Sequence, residues 1–388
     1  MLPNVLLLAL TAMLARGGWP ILAVLGLSML IGGCVDESVG DDRERLGPAG
    51  QRFFDINLYA TMPLLLAVTF LLLSLVARTH GFPFSGLTAH PPSGVVAAVI
   101  GAGYFYALAG TTVAHELAHR ITSPLALLSA RMLFALTLNP THETYHVYGH
   151  HRNVGKYGDP STARRGEYVL AFVARSAVGQ SIEGWRLEAE RLRRKGRAVW
   201  SWRNHVLAGI GCSLAIIAGA AMIAGIAGVV AFLAAAVFGR ILHEMVSYVQ
   251  HYGLVRAERS PVEPRHSWDC HRLVSNALQY NLPRHADHHM CASKPFWELD
   301  AQADSPKLPH GYQTMSMIAL FPAWWRRATD PLLADWDRRL ANDVERALVR
   351  ERGWTIDVSA PRRAGTGSAR PVASGAALAV ASSPCSVA

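Results

Sequence analysis

The strongest constraint on this chain is how its apolar residues are gathered. They form runs near Leu2–Leu14, Ile21–Gly33, Leu58–Ala77, Gly94–Ala114, Val206–Ala224 and Ile226–Val249. A bilayer core about 30 Å thick is crossed by about 20 mostly apolar helical residues. Lipid gives backbone N–H and C=O groups no partner, so runs of this kind satisfy them internally as helices. Charged residues make up only 17% of the chain, against about 25% in soluble domains. The reading is an all-α integral membrane protein with about six transmembrane helices. Gly17-Gly18-Trp19-Pro20 reads as a tight hairpin between the first two runs, and Pro63 as a kink in the third. Met1 to Leu14 lacks a charged start and a small-residue cleavage site, and Gly32 spoils Ile31-Gly32-Gly33-Cys34 as a lipidation box. Both segments are therefore expected to be spans.

The formal net charge of +9 comes from basic residues placed between the apolar runs, with no aromatic-interleaved patch. That pattern argues against nucleic acid and for membrane orientation. The segment Thr79–Ser93 has no Lys or Arg, whereas Arg120 to Arg203 holds fourteen. The positive side should be cytoplasmic, in an inner membrane. On this reading residues 1–255 form the transmembrane region, with a long cytoplasmic loop over 120–203. Residues 256–358 form a cytoplasmic cap, and 359–388 form a disordered tail rich in Ala, Ser, Gly, Pro and Arg. Within the loop, Ser181 to Arg197 reads as a basic amphipathic helix with Ile182, Trp185, Ala189 and Leu192 on one face. Gly101, Gly103, Gly110, Gly209 and Gly219 lie in the spans, where they either line a substrate tunnel or let helices pack closely.

Seventeen histidines are the chemical anomaly, and they concentrate in four places. His115-Glu116-Leu117-Ala118-His119 ends the fourth run, with its two imidazoles one helical turn apart. His142-Glu143-Thr144-Tyr145-His146-Val147-Tyr148-Gly149-His150-His151 lies in the long loop. Gln250-His251-Tyr252-Gly253 ends the sixth run, and Arg284-His285-Ala286-Asp287-His288-His289 lies in the cap. Neutral imidazole is the commonest transition-metal ligand, so this density points to metal. The segments 115–119 and 142–146 both match H-E-x-x-H, the zinc protease pattern. One tetrahedral zinc needs only three protein ligands, so that reading leaves most of the histidines unused. Glu116-x-x-His119 and Glu143-x-x-His146 also match half-sites of soluble di-iron bundles, but those sites are carboxylate-rich. A histidine shell large enough for two metals, beside apolar spans, points to membrane non-haem di-iron oxygen chemistry. Five scattered cysteines with no C-x-x-C exclude a built-in iron–sulfur or rubredoxin module.

These four segments resemble the histidine boxes and HYG motif of membrane alkane 1-monooxygenases. The chain is also similar to xylene monooxygenase hydroxylase subunits, notably over Glu188 to Gly196, Gly158-Asp159-Pro160, Gln250 to Arg256 and Leu308 to Trp325. The resemblance spans roughly Val35 to Trp354 and implies six spans and a cytoplasmic histidine-rich cap holding two Fe ions. The metal ligands it implies are His115, His119, His146, His150, His151, His251, His285, His288 and His289. It further implies hydroxylation of an unactivated C–H bond, typically a terminal methyl, of an alkane or alkyl-substituted hydrocarbon. That reaction uses O2 and two electrons from rubredoxin or a ferredoxin-type reductase, and acidic redox partners would suit the basic face. The alternative on the same boxes is desaturation or another oxidation of an acyl chain. Tyr145, Ser247, Gln250 and Pro283 depart from the usual motifs without removing a ligand, which leaves the substrate open. Carboxylates should orient the imidazoles by accepting their second N–H. Glu116, Glu244 and Asp287 are the first candidates for catalytic support, with Glu143 and Asp159 beside them. Glu244 is two turns before His251 on one helical face, and His243 is expected on another.

Overall fold

The computed structural model describes residues 2–16, 21–79 and 92–356. The expected hairpin at 17–20, the loop after Thr79 and the tail from Ser359 lie outside the described residues. Helices dominate, and the described residues contain only two isolated β-bridges. The apolar helices are α1 (Leu2–Arg16), α2 (Ile21–Val39), α3 (Gln51–Thr79), α4 (Ser93–Ala118) and α5 (Pro124–Ala135). A helical stretch over 142–153, α6, and the long α7 (Val169–Arg194) follow. Residues 205–251 read as one helical segment interrupted at Ala224 and Gly225, where the backbone leaves helical geometry.

That interruption reverses the chain. A Cβ at Gly209 would meet Pro140 at 3.0 Å, and one at Gly239 would meet Thr137 at 3.2 Å. Both legs therefore return to one level, as antiparallel helices α8 (205–223) and α9 (226–251). Gly225 sits at φ 60° and ψ −152°, a region essentially reserved for glycine. The fifth and sixth runs expected from sequence meet at this turn. All six expected apolar runs are helical, and four stretches are long and apolar enough to cross a membrane: Ile21–Val39, Pro48–Thr79, Ser93–Ala118 and His205–His251. The first run forms a shorter helix. Outward side chains such as Leu214, Met222, Ile226 and Val230 are apolar and exposed, as lipid-facing residues must be.

The helices pack on one continuous apolar core running from Leu6 through Leu65, Phe105 and Phe134 to Phe232. Gly103 lets α4 approach α9 closely, since a Cβ there would lie 2.5 Å from the Ala235 carbonyl oxygen. None of Gly101, Gly103, Gly110, Gly209 and Gly219 lines the cavity that opens onto His115, His146 and His150. Gly101 meets Ile21, Gly110 meets Leu65, and Gly219 has nothing within 4 Å, so close packing rather than a tunnel accounts for those that make contact.

Beyond α9 the chain builds a second core around Trp268, Tyr312, Trp325 and Trp336. It carries α10 (Leu273–Leu278), α11 (His285–Met290), α12 (Tyr312–Ala319), α13 (Pro322–Arg339) and α14 (Asp343–Glu351). Buried Asp36, at the end of α2, accepts from the Ser275 backbone N–H at 3.0 Å and ties this unit to the apolar helices. Helix α7 starts twelve residues before the expected amphipathic segment. Its buried face runs Ser176, Gln180, Gly184 and Glu188, while Ile182 is 48% exposed. The expected apolar face is buried at Ala189 and Leu192 and is corrected at Ile182, which turns outward, while Ser176, Gln180 and Glu188 add a polar strip to the buried side of α7.

Candidate metal centre

Four elements bring the histidines together. His115 and His119 stand one turn apart at the end of α4, their rings 5.2 Å apart. In α6 the turn over His146–His150 is a π-turn, whose i→i+5 bonding stacks residues five apart. His146 and His151 therefore face each other, with their Nε2 atoms 3.0 Å apart. An α-helix would set them on different faces. His251 ends α9, and α11 contributes His285, His288 and His289.

The nine rings form two groups. His115, His119, His146, His151 and His288 each offer a nitrogen within 4.8 Å of the others, and His150, His251, His285 and His289 do the same. His285 Nε2 lies 3.1 Å from both His251 Nε2 and His289 Nε2. Burial first, then the neighbouring rings, holds His146, His151, His285, His288 and His289 well below the usual imidazole range. Neutral imidazole keeps the lone pair a metal ligand needs.

Supports behind the rings differ from the sequence expectation. Asp159 accepts from His150 Nδ1 at 2.8 Å, from the Tyr145 hydroxyl at 2.6 Å and from Thr162 at 2.7 Å. Burial works to raise this carboxyl, but the His150 ring and these hydrogen bonds outweigh it and hold it at about 2. Tyr145, a departure in the second box, thus has a defined partner. Glu244 does not reach His251: it pairs with Arg240 at 2.8 Å and accepts from Gln180 at 2.8 and 3.0 Å. His251 Nδ1 instead lies 3.2 Å from the His266 carbonyl oxygen. Glu116 lies 3.5 Å from Arg120, and Glu143 accepts from Arg131 at 2.6 and 2.8 Å. Asp287 takes bonds from Lys294, Gln302 and the Asp300 backbone.

Two supports had no sequence signal because their partners are remote. Asp269 accepts from the Ala286 backbone N–H at 2.7 Å and fixes the start of α11. Glu345, fully buried on α14, bonds His266 Nε2 at 2.8 Å and Arg265 at 3.0 Å. His142 and His243 also join the site: their rings are 4.7 Å apart, and His142 stacks on His146 at 5.3 Å. His243 therefore turns toward the centre, contrary to the expectation that it faces elsewhere.

A cavity of about 310 Å³ opens onto His115, His146 and His150. Its remaining wall is mainly apolar, with Ala107, Leu108, Phe238, Leu242, Met245 and Leu320.

The fold and this centre define a class: a helical protein with membrane-spanning segments that holds a histidine-only, two-group metal pocket beside an apolar cavity. Residues 89–319 match the fatty acid desaturase family, more than half of the chain, and the chain belongs to that family. It is 34% identical over 238 residues to alkane 1-monooxygenase 2 of Pseudomonas aeruginosa, covering 60% of this chain and 63% of that protein. It is 34% identical to the alkane 1-monooxygenase of Acinetobacter baylyi over 56% of this chain and 54% of that one. The xylene/toluene monooxygenase hydroxylase component of Pseudomonas putida matches at 27% identity over 78% of this chain and 82% of its own length. The chain thus spans about six tenths or less of the alkane monooxygenases named here.

Proposed function

We propose that this chain is a membrane non-haem di-iron monooxygenase that hydroxylates an unactivated C–H bond of an alkane or alkyl-substituted hydrocarbon. The observation that carries the reading is the convergence of nine imidazoles, in two groups, beside a mainly apolar cavity. The donor set fits two metals. The Nε2 atoms of His115, His119 and His288 are buried with no hydrogen-bond partner among the described residues. Each such orphan costs about 1–3 kcal/mol, a cost that a bound cation would offset. The nitrogen contacts of 3.0–3.1 Å also carry information. Two nitrogens about 2.1 Å from one metal lie about 3.0 Å apart at a right angle and about 3.4 Å apart at the tetrahedral angle. Contacts of this length are short enough for the paired rings to share one metal.

The first group would hold one iron and the second group the other. Together they would supply activation of O2 for C–H oxidation, drawing two electrons and two protons from outside. The chain's own residues do the rest. Asp159 sets the His150 tautomer, the His266 carbonyl sets that of His251, and Asp269 seats α11. Glu116, Glu244 and Asp287 act as positioning residues through Arg120, Gln180 and Lys294. The cavity excludes water and lays the hydrocarbon toward His115 and His146.

Six spans are read from the six apolar runs, and the charge distribution supports a cap on the cytoplasmic side of the inner membrane. Trp200 and Trp202, 77% and 84% exposed, stand beside Arg203 below α8, a pairing suited to the lipid interface. An acidic rubredoxin or ferredoxin-type reductase fits the basic face. Metal analysis should return about two irons per chain and little zinc. Product analysis by mass spectrometry, in cells given alkanes, alkylarenes and fatty acids, separates alcohols from desaturated chains. One zinc and no iron would remove the proposal.

A further inference from the structure

Two histidines beside the metal centre, buried His142 and half-buried His243, are not among its nine. His142 and His243 both line the cavity, whose exposed wall is mainly apolar. A hydrocarbon gives an imidazole nothing to bond, so leucine or phenylalanine would suit a purely apolar occupant better. Their hydrogen bonding shows what kind of group they suit.

The Gln180 amide is fixed by its surroundings. Its Nε2 lies 2.8 and 3.0 Å from the two Glu244 carboxylate oxygens, which only accept, so this end is the NH2. Its Oε1 faces Arg240 Nη2 at 3.2 Å, which only donates. Flipping the amide would set oxygen against carboxylate and NH2 against guanidinium. Oε1 therefore faces His142 Nδ1, 3.0 Å away, and Nδ1 must carry the proton. With the proton placed on Nδ1, Nε2 is the ring nitrogen left to offer a lone pair. His243 Nε2 is buried with no hydrogen-bond partner among the described residues, and it is free to be the N–H of that ring.

We propose that His142 and His243 form a hydroxyl-binding subsite that takes the primary alcohol of the oxidised alkyl or alkylaryl substrate. A hydroxyl group is one donor and one acceptor; it donates to His142 Nε2 and accepts from His243. A methyl group can do neither. The ring of His142 is 5.3 Å from that of His146, so the subsite is one ring removed from the centre and receives the oxygenated carbon as it leaves. Gln180, held by Arg240 and Glu244, is the positioning residue that fixes the tautomer. Buried Glu244 thus serves the occupant of the cavity rather than His251.

The inference rests on the monooxygenase reading for the origin of the alcohol, but its test does not need turnover. Full-length protein in detergent is titrated with benzyl alcohol and with toluene, before and after chelation of metal. His142→Phe, which keeps a stacking ring, and His243→Leu should each weaken benzyl alcohol about tenfold. Toluene binding should stay within about twofold, and His142→Gln, which retains an acceptor, should recover part of the loss. Unchanged alcohol affinity in both variants, or equal loss of alcohol and toluene, would overturn the proposal. Should one variant fail to accumulate, the other carries the same expectation. A failure of the monooxygenase reading shows separately, as absence of iron or of hydroxylated product in the unmodified chain, while the binding difference still reports on the subsite.

Discussion

At the residue scale, the two most informative side chains are His251 and Asp159. His251 stands alone in its motif, yet its Nε2 is 3.1 Å from that of His285 and its Nδ1 faces a carbonyl. His251→Ala is expected to abolish product and lower bound iron while leaving membrane insertion intact, as read by metal analysis of membrane-extracted protein. Full iron and activity in that variant would show the assignment wrong at this position. Asp159 accepts three side-chain bonds at once. Asp159→Asn is expected to reduce metal affinity or activity 10- to 100-fold, about what loss of a partner to a ligating histidine costs. Tyr145→Phe removes one of those bonds and should cost less, since Thr162 and His150 remain. Metal titration of both variants checks the order. The density of histidine and the spacing in each box were legible in the residues. The pairing of Tyr145 with Asp159 was not, because fourteen residues and two turns separate them.

At the element scale, turns and close approaches set where the rings end up. The π-turn in α6 is what opposes His146 and His151, and no 3.6-residue periodicity could have located it. Gly225 reverses α8 into α9 at a backbone conformation that side chains do not tolerate. Gly225→Val should cost about 1–3 kcal/mol or more and lower the yield of folded protein, measured by monodispersity after extraction. Helix α14 acts from a distance. Its Glu345 bonds His266, whose carbonyl faces His251. Glu345→Ala leaves Arg265 and His266 without their buried partner, a loss of about 3–5 kcal/mol where a buried ion pair is broken. The expected result is a lowered melting temperature together with reduced iron, whereas iron content unchanged in a destabilised protein would limit Glu345 to a structural role.

At the scale of the whole molecule, the apolar helices and the helices after α9 meet at the histidines, so metal should couple their stabilities. A ligand that binds only the folded state stabilises it by mass action. Chelation is expected to lower the melting temperature by about 5 °C or more, with reversal on adding ferrous iron but not on adding magnesium. Insensitivity to chelation would contradict a shared metal core. What the sequence determined by itself was the helical membrane architecture, since runs of apolar residues in lipid have one way to satisfy their backbone. It also marked the four segments in which histidines are clustered, while the nine ligands themselves came from the family resemblance. The tertiary structure alone decided what stands behind and beside those ligands. Glu244 was expected at His251 and serves Gln180 instead; His243 was expected to face away and lies against His142. Helical phase restricts a side chain to a sector, but its partner is chosen by whichever neighbouring element fills that sector, and α7 and the cap do so from distant parts of the chain.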